Sequence, residues 1–217
     1  KCITTGGYNV IFGQSTGKTI TSGSQNIFLG RYAASSGTVT GHNNVILGCR
    51  AGNSLAGGIY NTFVGMYAGC SFSGTGANNI ALGCMSLMEL ETGYSNIAIG
   101  DAAMASAGSD GNVISGNIVF GTQAGRCLRS DYNIMIGQEA GRCTCANADN
   151  NIFIGRSAGL ENSTGAYNLA FGRSAGKNFV SGSNNVFLGR SAGQGSSTKS
   201  NNTGDENIFI GRYAGMN

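Results

Sequence analysis

Residues 151–159 read NIFIGRSAG and residues 207–215 read NIFIGRYAG, almost the same nine letters at two places in one chain. Their shared kernel is Asn, an apolar residue, any residue, an apolar residue, Gly. It starts at Asn9 (NVIFG), Asn26 (NIFLG), Asn44 (NVILG), Asn61 (NTFVG), Asn79 (NIALG) and Asn96 (NIAIG). It starts again at Asn117 (NIVFG), Asn133 (NIMIG), Asn151 (NIFIG), Asn168 (NLAFG), Asn185 (NVFLG) and Asn207 (NIFIG), twelve copies in all. Successive starts are 17, 18, 17, 18, 17, 21, 16, 18, 17, 17 and 22 residues apart. The copies occupy the whole of 1–217, which therefore reads as one repeat domain without a linker.

A period near 17 is too short for helical-hairpin repeats, which need about 33 residues or more. The three letters after each Asn instead have strand chemistry. The first is Ile, Val or Leu except at Thr62, and the third is always Leu, Ile, Val or Phe. The middle letter is apolar too (Ile11, Phe28, Phe63, Phe153, Phe187 and Phe209, with Ala81, Ala98 and Ala170), so both faces of most strands are expected to be buried. After the closing Gly comes a second short element ending in Ala-Gly, as in RSAG at 156–159, 173–176 and 190–193. A polar loop follows, usually with Gly three residues before the next Asn. Two short strands and two corners per period describe one coil of a β-solenoid, here an all-β stack of twelve coils with about 17–18 residues each.

Coils stacked about 4.8 Å apart place equivalent residues over one another. Each Asn then either joins a ladder, donating to one neighbour and accepting from the other, or makes a turn at the strand start. In both cases it is structural. The energetics demand numbers: two or three buried side chains contribute roughly 1.5–3 kcal/mol each, whereas ordering 17 residues costs about 1–2 kcal/mol apiece. A single coil cannot fold alone.

Composition excludes several other classes. The chain has 38 Gly, no Pro and 11% charged residues against 41% hydrophobic, which fits neither disorder nor collagen. A net charge of +3 is too small to imply a nucleic-acid partner, and no apolar run is long enough for membrane insertion. His42 is the sole histidine, in a GHNN turn, and the ten acidic residues are scattered. Glycine-rich stretches recur in every coil but lack Gly-Lys-Ser/Thr. No enzyme, cofactor or metal centre is expected.

The repeat NNVFLGRSAG…GDENIFIGRYAG resembles repeats of phage tail-fibre and environmental surface fibre proteins, with their N-x-x-x-G-x-x-A-G rhythm. More distantly it is similar to the β-roll heads of YadA-like trimeric adhesins. The resemblance implies an extracellular fibrous protein, at a cell surface or on a virion, often a homotrimer and used for attachment. The seven cysteines and the slightly longer coil depart from that pattern.

Self-association is the expected partnership. Were a second copy to follow Asn217 in register, the Asn-to-Asn spacing across the joint would be 19, inside the observed range. That arithmetic suits a head-to-tail homopolymer and equally a segment of a longer array; a homotrimer is the alternative. Arg156, Arg173, Arg190 and Arg212 follow the strand Gly in four consecutive coils, a positive stripe that requires loop carboxylates such as Glu161, Asp205 and Glu206, water, or a polyanion such as surface polysaccharide. Cys127 and Cys143 share one repeat position in adjacent coils, within disulfide reach. Cys2 is a candidate intermolecular thiol, and Asn162 and Asn201 head N-x-[ST] sequons in polar loops, candidates for glycosylation.

Overall fold

The computed structural model describes residues 5–108, 111–145, 147–195 and 203–216. Among them there is no helix, and every strand is three residues long. The chain divides into two compact units, Lys1–Ser115 and Gly116–Asn217. In the first lie β1 (Val10–Phe12), β2 (Ile27–Leu29), β3 (Val45–Leu47), β4 (Thr62–Val64), β5 (Ile80–Leu82), β6 (Thr92–Tyr94), β7 (Ile97–Ile99) and β8 (Val113–Ser115). The second holds β9 (Ile118–Phe120), β10 (Ile134–Ile136), β11 (Ile152–Ile154), β12 (Leu169–Phe171), β13 (Val186–Leu188) and β14 (Ile208–Ile210).

Twelve of these strands are the apolar triplets of the repeat, and they stack as a β-solenoid. In the first unit β1, β2, β3, β4, β5 and β7 pair in parallel, and in the second β9 to β14 do so in sequence order. Register follows the repeat letter by letter, as in Ile27↔Val45, Phe28↔Ile46 and Leu29↔Leu47. It survives the longest period: Val186 still faces Ile208.

The middle letter points into the coil. Phe28, Ile46, Phe63, Ala81, Ala98, Val119, Met135, Phe153, Ala170 and Phe187 are buried. Large and small residues compensate between elements: Phe72 packs edge-on against Phe63 at 5.3 Å, and Phe179 against Phe187 at 4.9 Å beside the small Ala170. Phe72 and Phe179 belong to a further inward column eleven residues after each Asn, with Ile20, Leu55, Leu90 and Leu128. Its regularity is visible in the sequence only once the register is fixed.

The expectation that both strand faces are buried does not hold within either unit. First and third letters point outward and stay at least partly exposed, up to 77% at Phe12. A solenoid coil has one interior and a wall one strand thick, so period-2 alternation sends every flanking aliphatic outside. Thr62 is tolerated for the same reason.

The Ala-Gly element is also not a strand. Its Ala column is buried (Ala33, Ala51, Ala68, Ala103, Ala124, Ala140, Ala158, Ala175, Ala192) and its amides bond from coil to coil, as in Gly52 N–H to Ala68 O at 2.8 Å. Left-handed residues interrupt the extended backbone on both sides of the Ala: Ser191 has φ 55° and Gly193 φ 55°. The second strand pairing instead joins β6 to β8 before the Asn, continued by single bridges at Ile20↔Val39, Ile59↔Ala77 and Ala77↔Tyr94.

Two glycine columns are required by close approach. Gly48, closing β3, has φ +136°, and a β-carbon there would stand 2.7 Å from the carbonyl carbon of Gly65 one coil on. Gly41 sits where a β-carbon would collide with the carbonyl of Gly58. That second column stands three residues before most of the repeat asparagines, with Ile114, Ser130 and Ala148 in its place before Asn117, Asn133 and Asn151.

Candidate functional site

The asparagines form a ladder in each unit. From Asn9 to Asn96, and from Asn117 to Asn207, the backbone N–H of each Asn donates to Oδ1 of the preceding one at 2.8–3.1 Å. In most rungs Nδ2 donates to the same oxygen, as from Asn44 to Asn26 at 3.0 Å. The second amide hydrogen crosses the coil to a carbonyl of the glycine column: Asn26 to Gly41 (3.0 Å), Asn44 to Gly58 (2.8 Å) and Asn151 to Gly165 (2.9 Å). One buried side chain thus joins two coils and closes a third segment onto the corner. Asp has no amide hydrogens for this, and a longer Gln would displace them. The turn role is filled by the residue before, which is left-handed at Asn43, Tyr60, Asn150 and Asn184 (φ 57° to 59°).

The four arginines stack as the repeat requires. Ser174 N–H donates to Arg156 O, Ser191 N–H to Arg173 O and Tyr213 N–H to Arg190 O (2.9, 2.9 and 3.0 Å), placing Arg156, Arg173, Arg190 and Arg212 on successive coils, all exposed. None of the four is ion-paired among the described residues, whereas Arg142 pairs with Glu139 at 3.5 Å. Asp205 and Glu206 form no ion pair with them among the described residues. Asp205 and Glu206 precede β14 whereas Arg212 follows it, so an extended triplet holds the charges apart, and Asp205 Oδ1 accepts from Ser183 N–H at 2.7 Å. Tyr213 screens part of the charge. Its ring lies 4.7 Å from the Arg212 guanidinium and 5.7 Å from that of Arg190, and its hydroxyl accepts from Arg212 Nη2 at 3.2 Å. That hydrogen bond, then the charges of Arg190 and Arg212, hold the phenol below its usual pKa.

Cys127, Cys143 and Cys145 are free thiols gathered on two adjacent coils. Cys127 N–H donates to Arg142 O at 3.0 Å, which sets Cys127 beside Cys143 in the stack, and Cys145 Sγ donates to Cys143 O at 3.4 Å. Burial pushes the Cys143 and Cys145 thiols above their usual pKa, with smaller contributions from Glu161 on Cys143 and from Cys127 on both. Cys49 and Cys84 share a column with Met66 between them. Cys2 lies outside the described residues.

The sequons divide. Asn201 lies outside the described residues. Asn162 is only 2% exposed, with Nδ2 donating to Gly165 O at 2.8 Å and Oδ1 accepting from Gly165 N–H at 3.1 Å. It belongs to the inward column of Leu128 and Phe179, so the surface placement expected of a glycosylated Asn is corrected: a glycan on this nitrogen has no room in the folded coil. His42 takes a turn role, its Nδ1 accepting from Ser24 N–H at 3.2 Å. Two features escaped the sequence reading: the outward aliphatic face, and a Tyr32–Arg50–Tyr67 column whose signal is a shared position six residues after Asn.

No helix among the described residues is long and apolar enough to cross a membrane. No family model, curated protein or solved structure matches the chain.

Proposed function

We propose that this chain is a non-enzymatic structural element of an extracellular fibre, extended by stacking coil on coil between copies. The observation that supports this reading is the complementarity of the two outermost strands. In β14 the Asn207 carbonyl and Gly211 N–H are engaged with Val186 and Leu188, so ladder alternation turns the amides of Ile208 and Ile210 outward. In β1 the Val10 N–H and Phe12 carbonyl are engaged with β2, which turns the Ile11 amide outward. Asn207 Oδ1 accepts no hydrogen bond, and Asn9 N–H donates none, among the described residues. Were one copy to follow another in register, these groups would be the two halves of one rung. An open edge of this kind pairs unless it is blocked.

Negative-stain microscopy at rising concentration tests this. Uniform fibres are expected from the native chain, and short rods from Ile210→Pro, which deletes an outward N–H while far-UV circular dichroism stays unchanged. Discrete particles of constant mass at every concentration would overturn end-to-end stacking. The outward aliphatics favour a second reading, side-by-side closure into a trimeric shaft or adhesin head. Val10, Phe12, Ile27 and Val113 in the first unit, and Phe171, Leu188, Ile208 and Ile210 in the second, make exposed apolar faces of the kind that mark association surfaces. A concentration-independent mass of three chains supports that reading. The unpaired arginine column favours contact with an anionic surface polysaccharide in either assembly.

A further inference from the structure

The first 88 residues contain no aspartate or glutamate, yet they carry Arg31 and Arg50. The stack brings both arginines to one tyrosine ring. Tyr32, Arg50 and Tyr67 occupy the same place in three successive coils, since Arg50 N–H donates to Arg31 O at 2.9 Å and Tyr67 N–H to Cys49 O at 3.0 Å. The Arg50 guanidinium lies 5.8 Å from the Tyr32 ring centre and 5.6 Å from that of Tyr67, and the Arg31 guanidinium lies 4.9 Å from Tyr32. Two cations therefore share an aromatic ring, and neither is ion-paired among the described residues. Cation–π contact holds Arg50 in place without neutralising it.

Beside this cluster is an open cup of about 420 Å³ lined by Tyr32, Ser35, Ser36, Arg50 and Asn53, within the size range of small-ligand sites. Its polar rim is fixed in advance. Ser35 Oγ donates to Asn53 Oδ1 at 2.7 Å, and Asn53 Nδ2 donates to Ser36 Oγ at 3.0 Å. The remaining Asn53 amide hydrogen and the Ser36 hydroxyl hydrogen have no acceptor among the described residues, so both are available as donors.

We propose that this cup binds a carboxylated sugar of the uronic- or sialic-acid class. The Arg50 fork takes the carboxylate, with Arg31 as the second charge, while Asn53 and Ser36 donate to ring hydroxyls. The planar guanidinium matches a carboxylate with two parallel hydrogen bonds. Hydroxyls and an amide line the cup beside the aromatic ring, which suits a hydroxyl-rich ligand rather than an aliphatic one. Two arginines on adjacent coils are too few for the phosphate track of a nucleic acid. Tyr32 and Tyr67 act as positioning residues, lowering the ordering cost of Arg50. The site lies wholly in the first unit and does not depend on the fibre reading.

Isothermal titration with trigalacturonate, maltotriose and sodium sulfate tests the assignment. Trigalacturonate is expected to bind, maltotriose not to bind, and sulfate to bind at least about tenfold more weakly than trigalacturonate. Arg50→Gln should weaken trigalacturonate about tenfold or more. Arg50→Lys should also weaken it, because the charge stays but the fork is lost. Lys177→Gln, in the other unit and outside the arginine column, should leave trigalacturonate affinity unchanged. Circular dichroism melting checks that each variant is folded. Unchanged trigalacturonate affinity in folded Arg50→Gln, equal binding of maltotriose, or sulfate binding as tightly as the sugar would each overturn the proposal.

Discussion

Replacing Asn61 by Ala measures what one ladder rung contributes. The Asn61 side chain donates to Asn44 Oδ1 (3.2 Å) and Gly76 O (3.1 Å), and accepts from Asn79 N–H (3.0 Å) and Asn79 Nδ2 (2.9 Å). Three of the abandoned partners keep another bond: Asn44 Oδ1 to Asn61 N–H, Gly76 O to Ile59 N–H, and Asn79 Nδ2 to Gly93 O. Those three losses cost about 1 kcal/mol each, whereas the Asn79 N–H, buried and left without an acceptor, costs about 1–3 kcal/mol. Asn61→Ala should therefore destabilise by about 4 kcal/mol or more. Asn207→Ala removes only the donations to Asn185 Oδ1 and Asp205 O, at a half-exposed rung whose own oxygen accepts nothing, and should cost about 1 kcal/mol. Urea unfolding followed by far-UV circular dichroism at low concentration reads both. Equal losses, or a loss below about 1 kcal/mol at Asn61, would refute the ladder as the device that holds coils together. Under fibre-forming conditions the Asn207 variant should become the more costly, because its oxygen would then accept from Asn9 of the next copy.

Glutathione disulfide should link Cys127 to Cys143, seen by peptide mass mapping. The bond closes a 15-residue loop and should stabilise by about 3 kcal/mol. Because burial raises the Cys143 thiol, the thiolate is scarce near neutral pH and the exchange should quicken as pH rises; a Cys127–Cys145 link instead would refute the stacked pairing. Tyr213 should ionise at lower pH than an ordinary tyrosine, read from its ring NMR signals. Arg212→Gln, or saturation of the arginine column with polygalacturonate, should move that midpoint upward, and an unmoved midpoint in the variant would remove the arginines as its cause.

The sequence by itself determined the coil, its period, the parallel register and the twelve Asn positions. In a stack, residues one period apart in the chain become neighbours in space, so a one-dimensional repeat is already a contact map. The stacking of Arg156 through Arg212 and the adjacency of Cys127 and Cys143 were legible for the same reason. Tertiary structure alone decided which way each strand faces. Three consecutive apolar letters carry no alternation, and only closure of the coil around a single interior sends Phe153 inward and Ile152 outward. It also decided that Asn162 is buried, because its column is set by loop packing, and that Asp205 stays away from the arginines. The Tyr32–Arg50–Tyr67 sandwich depends on left-handed backbone at all three residues, φ 59°, 55° and 59°. Nothing in a tyrosine or an arginine announces that conformation; the coils above and below impose it.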